Sequence, residues 1–93
     1  MKVAIIVLNY NSSADCRKCI SHLKRQEGVK IEIIIVDNRS REDDALAVKS
    51  LAAEQGCTFI AAKENRGYNA GNNIGLRYAA EKGYVYALIA NPD

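Results

Sequence analysis

The apolar residues of this chain gather into short runs, and the stretches between them are polar or helically periodic. Residues 3–8, "VAIIVL", make a continuous and largely β-branched run, the pattern of a strand covered on both faces. "NYNSS" follows, where Ser12 or Ser13 can cap a helix that carries Asp15 in its first turn. Cys16, Cys19, Ile20 and Leu23 then fall at i, i+3, i+4 and i+7, one helical stripe. Glu27 and Gly28 are expected to close that helix. Residues 31–36, "IEIIIV", form the second buried strand, which ends on Asp37 and Asn38. Residues 42–55 read as a second helix, with acids at its positive end and Gly56 as a left-handed stop. "TFIAA" is a short third strand. "KENRGYNAGNN" is a polar loop that runs into a third helix over residues 70–81, ended by Gly83. "YVYALIA", residues 84–90, is the fourth strand, and the chain closes on Asn91, Pro92 and Asp93.

Strands alternating with helices, joined by connections long enough for crossovers, predict an α/β class domain. Its core is a mostly parallel four-stranded sheet with helices on both faces. In such a sheet ligands bind beyond the carboxyl ends of the strands. Those ends read "NYNSS", "DNRS", "AAKEN" and "NPD", denser in Asn and Asp than capping alone requires. The opposite loops, "QEGVK", "EQGC" and "EKG", resemble ordinary turns. Asp37 therefore has two readings of equal weight. Its carboxylate can accept from a nucleobase imide or a sugar hydroxyl, or it can form a turn with Asn38. Gly67, Gly71 and Gly75 recur every four residues, along one helix face. Glycine inside a helix costs about 1 kcal/mol against alanine, so something must offset it. Close packing is expected at Gly75, and ligand approach or turn geometry at Gly67 and Gly71.

Composition narrows the function classes. The chain has 93 residues, 48% hydrophobic and 26% charged, an ordinary globular mixture for one domain or part of one. A net charge of +2 gives no case for a nucleic-acid partner. The 3 cysteines include Cys16-Arg-Lys-Cys19, but only Cys57 and His22 remain to complete a zinc set. Core-filling thiols are the expectation, and unpaired cysteines suit a reducing cytoplasm. "KVAIIVL" is too short to span a bilayer. The chain has no G-x-G-x-x-G, no NTPase phosphate loop and no Ser-His-Asp set.

"VLNYNS", "IIIVDNRS", "ENRGYNAGNNIG" and "ALIANPD" together resemble the N-terminal half of the inverting, nucleotide-sugar-dependent glycosyltransferases of family 2. The rhamnosyltransferase-like branch, with "NPD" in place of Asp-x-Asp, is the nearest likeness. The resemblance implies a Rossmann-like sheet of the A-type fold, with residues 1–93 as a donor subdomain expected to be truncated at its C-terminus. It implies Tyr10 and Asn11, with Asn9, beside the nucleobase. It implies Asp37 on the base, with Asn38 and Ser40 nearby. Asn65, Gly67, Asn72 and Asn73 would line the nucleotide pocket. Asn91 and Asp93 would take the Asp-x-Asp positions, with Asp93 as ligand to Mg²⁺ or Mn²⁺. The partners implied are a UDP- or dTDP-sugar and a saccharide, lipid-linked or protein acceptor. The expected location is cytoplasmic, with any membrane association left to a missing part.

This sequence departs from the family at Arg39, where a small residue is usual, at Glu42, where an Asp is usual, and at Asn91. Arg39, Arg41, Lys63 and Arg66 are candidates to supplement the metal's charge. The general base and acceptor pocket of the family lie in a later segment, so the piece is expected to bind donor weakly and turn over nothing. A nucleotidyltransferase would need a glycine- and base-rich loop after the first strand, which "NYNSS" is not. A receiver-like or other nucleotide-binding module, and a domain self-associating through its exposed edge, are the non-enzyme alternatives.

Overall fold

The computed structural model describes residues 2–26 and 28–92. Strands β1 (Lys2–Asn9), β2 (Lys30–Asp37), β3 (Thr58–Ala61) and β4 (Tyr86–Ala90) alternate with helices α1 (Ser13–Leu23), α2 (Glu42–Gln55) and α3 (Tyr68–Glu81). The strands form one sheet in the order β3-β2-β1-β4, and every pairing is parallel. The order reverses at β1: the chain steps outward to β3, then α3 carries it back to the far side of β1.

The period of two in a strand divides the core into two layers. Val3, Ile5 and Val7 of β1, with Ile33 and Ile35 of β2, meet Cys16 and Ile20 of α1 and Val48 and Leu51 of α2. Ala4, Ile6, Ile34 and Val36 face the other way, onto Ala79 of α3. Burying each Val or Ile side chain contributes about 1.5–3 kcal/mol, which is why the unbroken apolar runs sit in the central pair β1 and β2. Cys16, Cys19 and Cys57 are free thiols within or against the first layer, as core-filling residues should be.

Several boundaries differ from the sequence reading. α1 ends at Leu23, with Lys24 and Arg25 already in a turn, and Glu27 lies outside the described residues. α3 begins two residues earlier than expected, at Tyr68, because Gly67 at φ 100° supplies the turn that enters it. β4 begins only at Tyr86. Tyr84 belongs to the preceding turn, where its N–H bonds the Ala79 carbonyl. Its hydroxyl donates to Glu32, a carboxylate that also accepts from Thr58 (2.7 Å) and Tyr78 (3.4 Å). The Tyr84 bond leads the set that holds Glu32 below the usual carboxylate range. β4 is also far from buried: Val85 beside it is 83% exposed and Leu88 59%.

The four-residue glycine spacing has a packing cause. A Cβ at Gly75 would stand 2.5 Å from Cγ2 of Ile6, and one at Gly71 would stand 2.6 Å from Cδ1 of Leu8. Gly71 is therefore a close-packing position, not a ligand-approach or turn position as its place in the loop suggested. Gly56, at φ 68°, ends α2 as read. Gly75→Ala sets a helix-propensity gain of about 1 kcal/mol against overpacking on a fully buried, β-branched neighbour. A net loss of up to about 2 kcal/mol is expected. Urea denaturation measures it, and a midpoint equal to or above the parent's would contradict the packing account.

Candidate functional site

The strand ends bring the polar residues together. Asn9 and Asp37 are register partners at the carboxyl ends of β1 and β2. Both point to the α1/α2 face, continuing in polar form the stripe that Val7 and Ile35 end. They are 0% and 3% exposed, so their hydrogen bonding must be met inside the protein. The Asn9 amide nitrogen donates to Oδ1 of Asp37 and to Oδ2 of Asp44, each at 2.9 Å. Its carbonyl oxygen accepts from the Cys16 thiol at 3.1 Å and the Ser12 N–H at 3.3 Å. Burial, then the neighbouring thiol and carboxylates, pushes the Cys16 thiol up to about 12, so it remains a protonated donor.

Ser40 ties this cluster to the loops. Its hydroxyl donates to Oδ1 of Asp37 at 2.7 Å and accepts the Asn11 N–H at 2.9 Å. The Asn11 side chain, on a backbone at φ 52°, accepts the Arg41 N–H at 2.7 Å. The turn role of Asp37 is thus real: Oδ2 takes the Ser40 N–H at 3.2 Å across Arg39, itself left-handed at φ 63°. That single long bond leaves Oδ2 with lone-pair capacity. Asp37 also lines a depression of about 380 Å³ with Arg39, Ser40, Glu42 and Ala62. The two readings of Asp37 are compatible.

The α3 side of the same strand ends is less complete. Asn38, 3% exposed, donates to Oδ1 of Asn65 at 3.2 Å and to the Gly67 carbonyl at 3.3 Å. Asn65 in turn accepts the Gly67 N–H at 2.8 Å. Oδ1 of Asn38 and both side-chain polar atoms of Asn72, a residue 2% exposed, have no partner among the described residues. Asn72 lies one turn along α3 from Tyr68. Tyr68 lines a cleft of about 210 Å³ with Leu8, Tyr10, Ser12, Asn91 and Pro92. This cleft sits where the strand order reverses, between β1 and β4. Tyr10 and Tyr68 are each 53% exposed there, two aromatic faces at its mouth.

The structure therefore gathers Asn9, Asn11, Asp37 and Ser40 in one network, and Asn38, Asn65 and Gly67 in a second beside it. Tyr10 and Asn91 line the cleft. Asn73 is exposed on α3, apart from buried Asn72. Asp93 lies outside the described residues, and among those described no group of three or more His, Cys, Asp or Glu stands ready to hold a metal. Arg41 and Arg66 form exposed pairs with Asp43 (3.6 Å) and Glu64 (2.8 Å), and Lys63 is exposed. Such pairs contribute little.

Two residues of the site escaped the sequence reading. Tyr68 was hidden in a loop that is helix. Asp44 stood as one of three acids at the start of α2, yet it alone of the three is buried. Burial pushes its carboxyl up, but the bonds from Asn9 and Ser13 and the charge of Arg41 outweigh that and hold it below its ordinary value.

The orphaned amide of Asn72 is costly, since each unmet buried group costs about 1–3 kcal/mol. Asn72→Leu, of similar shape, is expected to raise stability by about 1 kcal/mol or more. Thermal and urea unfolding read this directly; a loss of stability would mean that Asn72 is satisfied in solution.

Comparison with known proteins gives a consistent result. The model of the family described as Glycosyl transferase family 2 matches residues 4–93. The low-salt glycan biosynthesis hexosyltransferase Agl10 of Haloferax volcanii is 30% identical over 92 residues, covering 98% of this chain and 27% of that protein. The solved mannosyltransferase PcManGT of Pyrobaculum calidifontis, in complex with GDP-Man and Mn²⁺, superposes with TM-score 0.72 at 27% identity. It covers 83% of this chain and 24% of that one. TarS of S. aureus in complex with UDP shares the fold at TM-score 0.80 and 24% identity, over 100% of this chain and 28% of that one. The chain spans about a quarter of the length of the curated relatives it matches.

Proposed function

The chain belongs to glycosyl transferase family 2, and on that premise we propose that residues 1–93 are the donor-binding subdomain of a glycosyltransferase. The parent reaction moves a sugar from a nucleotide-diphosphate sugar to an acceptor hydroxyl, with inversion. The observation that carries this reading is the set of buried Asn and Asp side chains at the carboxyl ends of β1 and β2. Leu8 and Tyr10, on either side of Asn9, line a cleft at the topological switch point, and Asp37 lines a separate depression with Ser40; open α/β sheets take their ligands at this edge. Asp37 offers its remaining lone pairs to the base, Tyr10 and Asn11 border it, and the Asn38 oxygen and the Asn72 amide supply unmet polar atoms to the nucleotide. Asn65 and Gly67 hold the loop beside Asn38, and Asn73 is assigned to the pocket's outer edge.

The diphosphate leaving group gains negative charge as the glycosidic bond breaks, and a bound divalent cation supplies Lewis-acid stabilisation there. Asn91 and Asp93 follow β4 directly, and amide and carboxylate oxygens suit a hard cation such as Mg²⁺ or Mn²⁺. The mannosyltransferase solved with GDP-Man and Mn²⁺ supports the use of a divalent metal. No residue of this chain is assigned as general base, so donor binding is the property its own side chains support. A saccharide, lipid-linked or protein hydroxyl is the proposed acceptor class. The free cysteines fit a cytoplasmic setting, and no helix among the described residues is long and apolar enough to cross a membrane.

Calorimetry with UDP, dTDP and GDP tests the reading. Asp37→Ala is expected to weaken binding of the preferred diphosphate by about 1–3 kcal/mol. Unchanged affinity in a folded variant, checked by circular dichroism, sinks the assignment of Asp37.

A second reading, self-association, draws on β4. Among the described residues this strand pairs only with β1, and Leu88 and Ile89 are 59% and 45% exposed along it. It predicts a larger hydrodynamic size as concentration rises in size-exclusion chromatography; a constant monomer volume removes it.

A further inference from the structure

We propose that Asp44 is a positioning residue for nucleotide recognition, acting through Asn9 to fix the carboxylate of Asp37. The inference rests on the donor-binding reading above, which gives Asp37 its task.

An acid in the first turn of a helix ordinarily stays in solvent, where it meets the positive end of the dipole. Glu42 and Asp43 do so, both exposed. Asp44 is only 9% exposed and turns away from its own helix. Its Oδ1 accepts the Ser13 N–H of α1 at 3.1 Å, and its Oδ2 accepts from Asn9 at 2.9 Å. Ser12, at the N-cap of α1, makes no side-chain cap bond, so α2 supplies the cap that α1 lacks.

The second bond decides the orientation of an amide. Asp37 and Asp44 are acceptors only, so the Asn9 nitrogen must face them. On the other side, the Ser12 N–H and the Cys16 thiol are donors and require the Asn9 oxygen. A flipped amide would place oxygen against both carboxylates and its N–H groups against both donors. With Asp44 in place two carboxylates on one side and two donors on the other select one state. Without it, one of the two carboxylates holding the nitrogen is gone. Asp37, the Ser12 N–H and the Cys16 thiol still select the same amide state, but nothing then holds the Asn9 nitrogen from the α2 side, so its bond to Asp37 Oδ1 loosens and the carboxylate is held less firmly.

Asp44→Asn keeps the shape, but Ser13 and Asn9 donate to different oxygens of Asp44, so the carboxamide sets an NH₂ group against one of the two donors. In calorimetry, UDP, or whichever of dTDP and GDP the parent prefers, is expected to bind about tenfold more weakly to this variant. The same substitution in an Asp37→Asn background should add little, because Asp44 acts through Asp37. Equal affinity to the parent, or full additivity in the double variant, overturns the proposal. Asp44→Ser covers a failure of Asp44→Asn to fold: its side chain stops one bond short of both donors, carries no repulsive NH₂, and is expected to show the same loss. Hydrogen exchange at the Asn9 side-chain amide, followed by NMR without ligand, supplies an independent readout. Exchange is expected to be slow in the parent and faster in either variant; equal protection overturns the hold of Asp44 on Asn9. A parent chain that binds none of the diphosphates overturns the donor-binding reading, and with it the recognition role. The amide measurement still decides whether Asp44 positions Asn9.

Discussion

The parallel register that sets Asn9 beside Asp37 decides where everything else at the strand ends can go. Both side chains inherit the direction of an apolar stripe and arrive buried, on the face covered by α1 and α2. A buried carboxylate must be met by donors or it disfavours folding. Asn9 meets two of them at once, and in doing so links the end of β1, the turn after β2 and the first turn of α2. The loops after β1 and β2 are then fixed to each other through Ser40 and Asn11. The polar groups at these strand ends are as deeply buried as the apolar ones below them, and they are tied to one another by hydrogen bonds.

The other face follows a different logic. Glycines at 71 and 75 let α3 approach β1 and β2 closely enough that a methyl group would collide with Leu8 or Ile6. This close seating carries Asn72 into the interior and closes space around Asn38. Their unmet atoms lower stability and serve no purpose in the protein alone. Natural chains carry such conflicts between packing and polarity chiefly at functional sites.

Much of this was legible in the sequence. The runs at residues 3–8 and 31–36 could only be buried strands, and alternation with helical stretches fixed a parallel sheet with helices on both faces. The clustering of Asn and Asp at one set of loops located the site, because topology sends those loops to one edge. What stayed hidden depended on tertiary contact. Asp44 differs from Asp43 only in the direction a helix turn gives it, and nothing local separates the two acids. Tyr84 has every mark of a strand residue, yet Glu32, distant in sequence, holds it in a turn. Gly71 matched a loop or ligand role until the side chain of Leu8 showed where its missing Cβ would lie. Gly67, by contrast, acts through its own backbone angle, which is a local property and was readable as such.

On the proposed donor-binding reading, the two faces of the strand ends divide the work of recognition. On the α1/α2 face, Asn9, Asp37, Ser40 and Asp44 satisfy one another, so that half is preorganised and gains little by rearranging. On the α3 face, Asn38 and Asn72 hold donors and acceptors in reserve, already desolvated by folding. A ligand that reaches them forms hydrogen bonds without first stripping water from the protein's side, and each such bond is worth more than one formed at an exposed amide. On that reading, orientation comes from the satisfied half and binding free energy from the unsatisfied half. Asp37 and Asn38, adjacent in sequence and pointing to opposite faces, join the two.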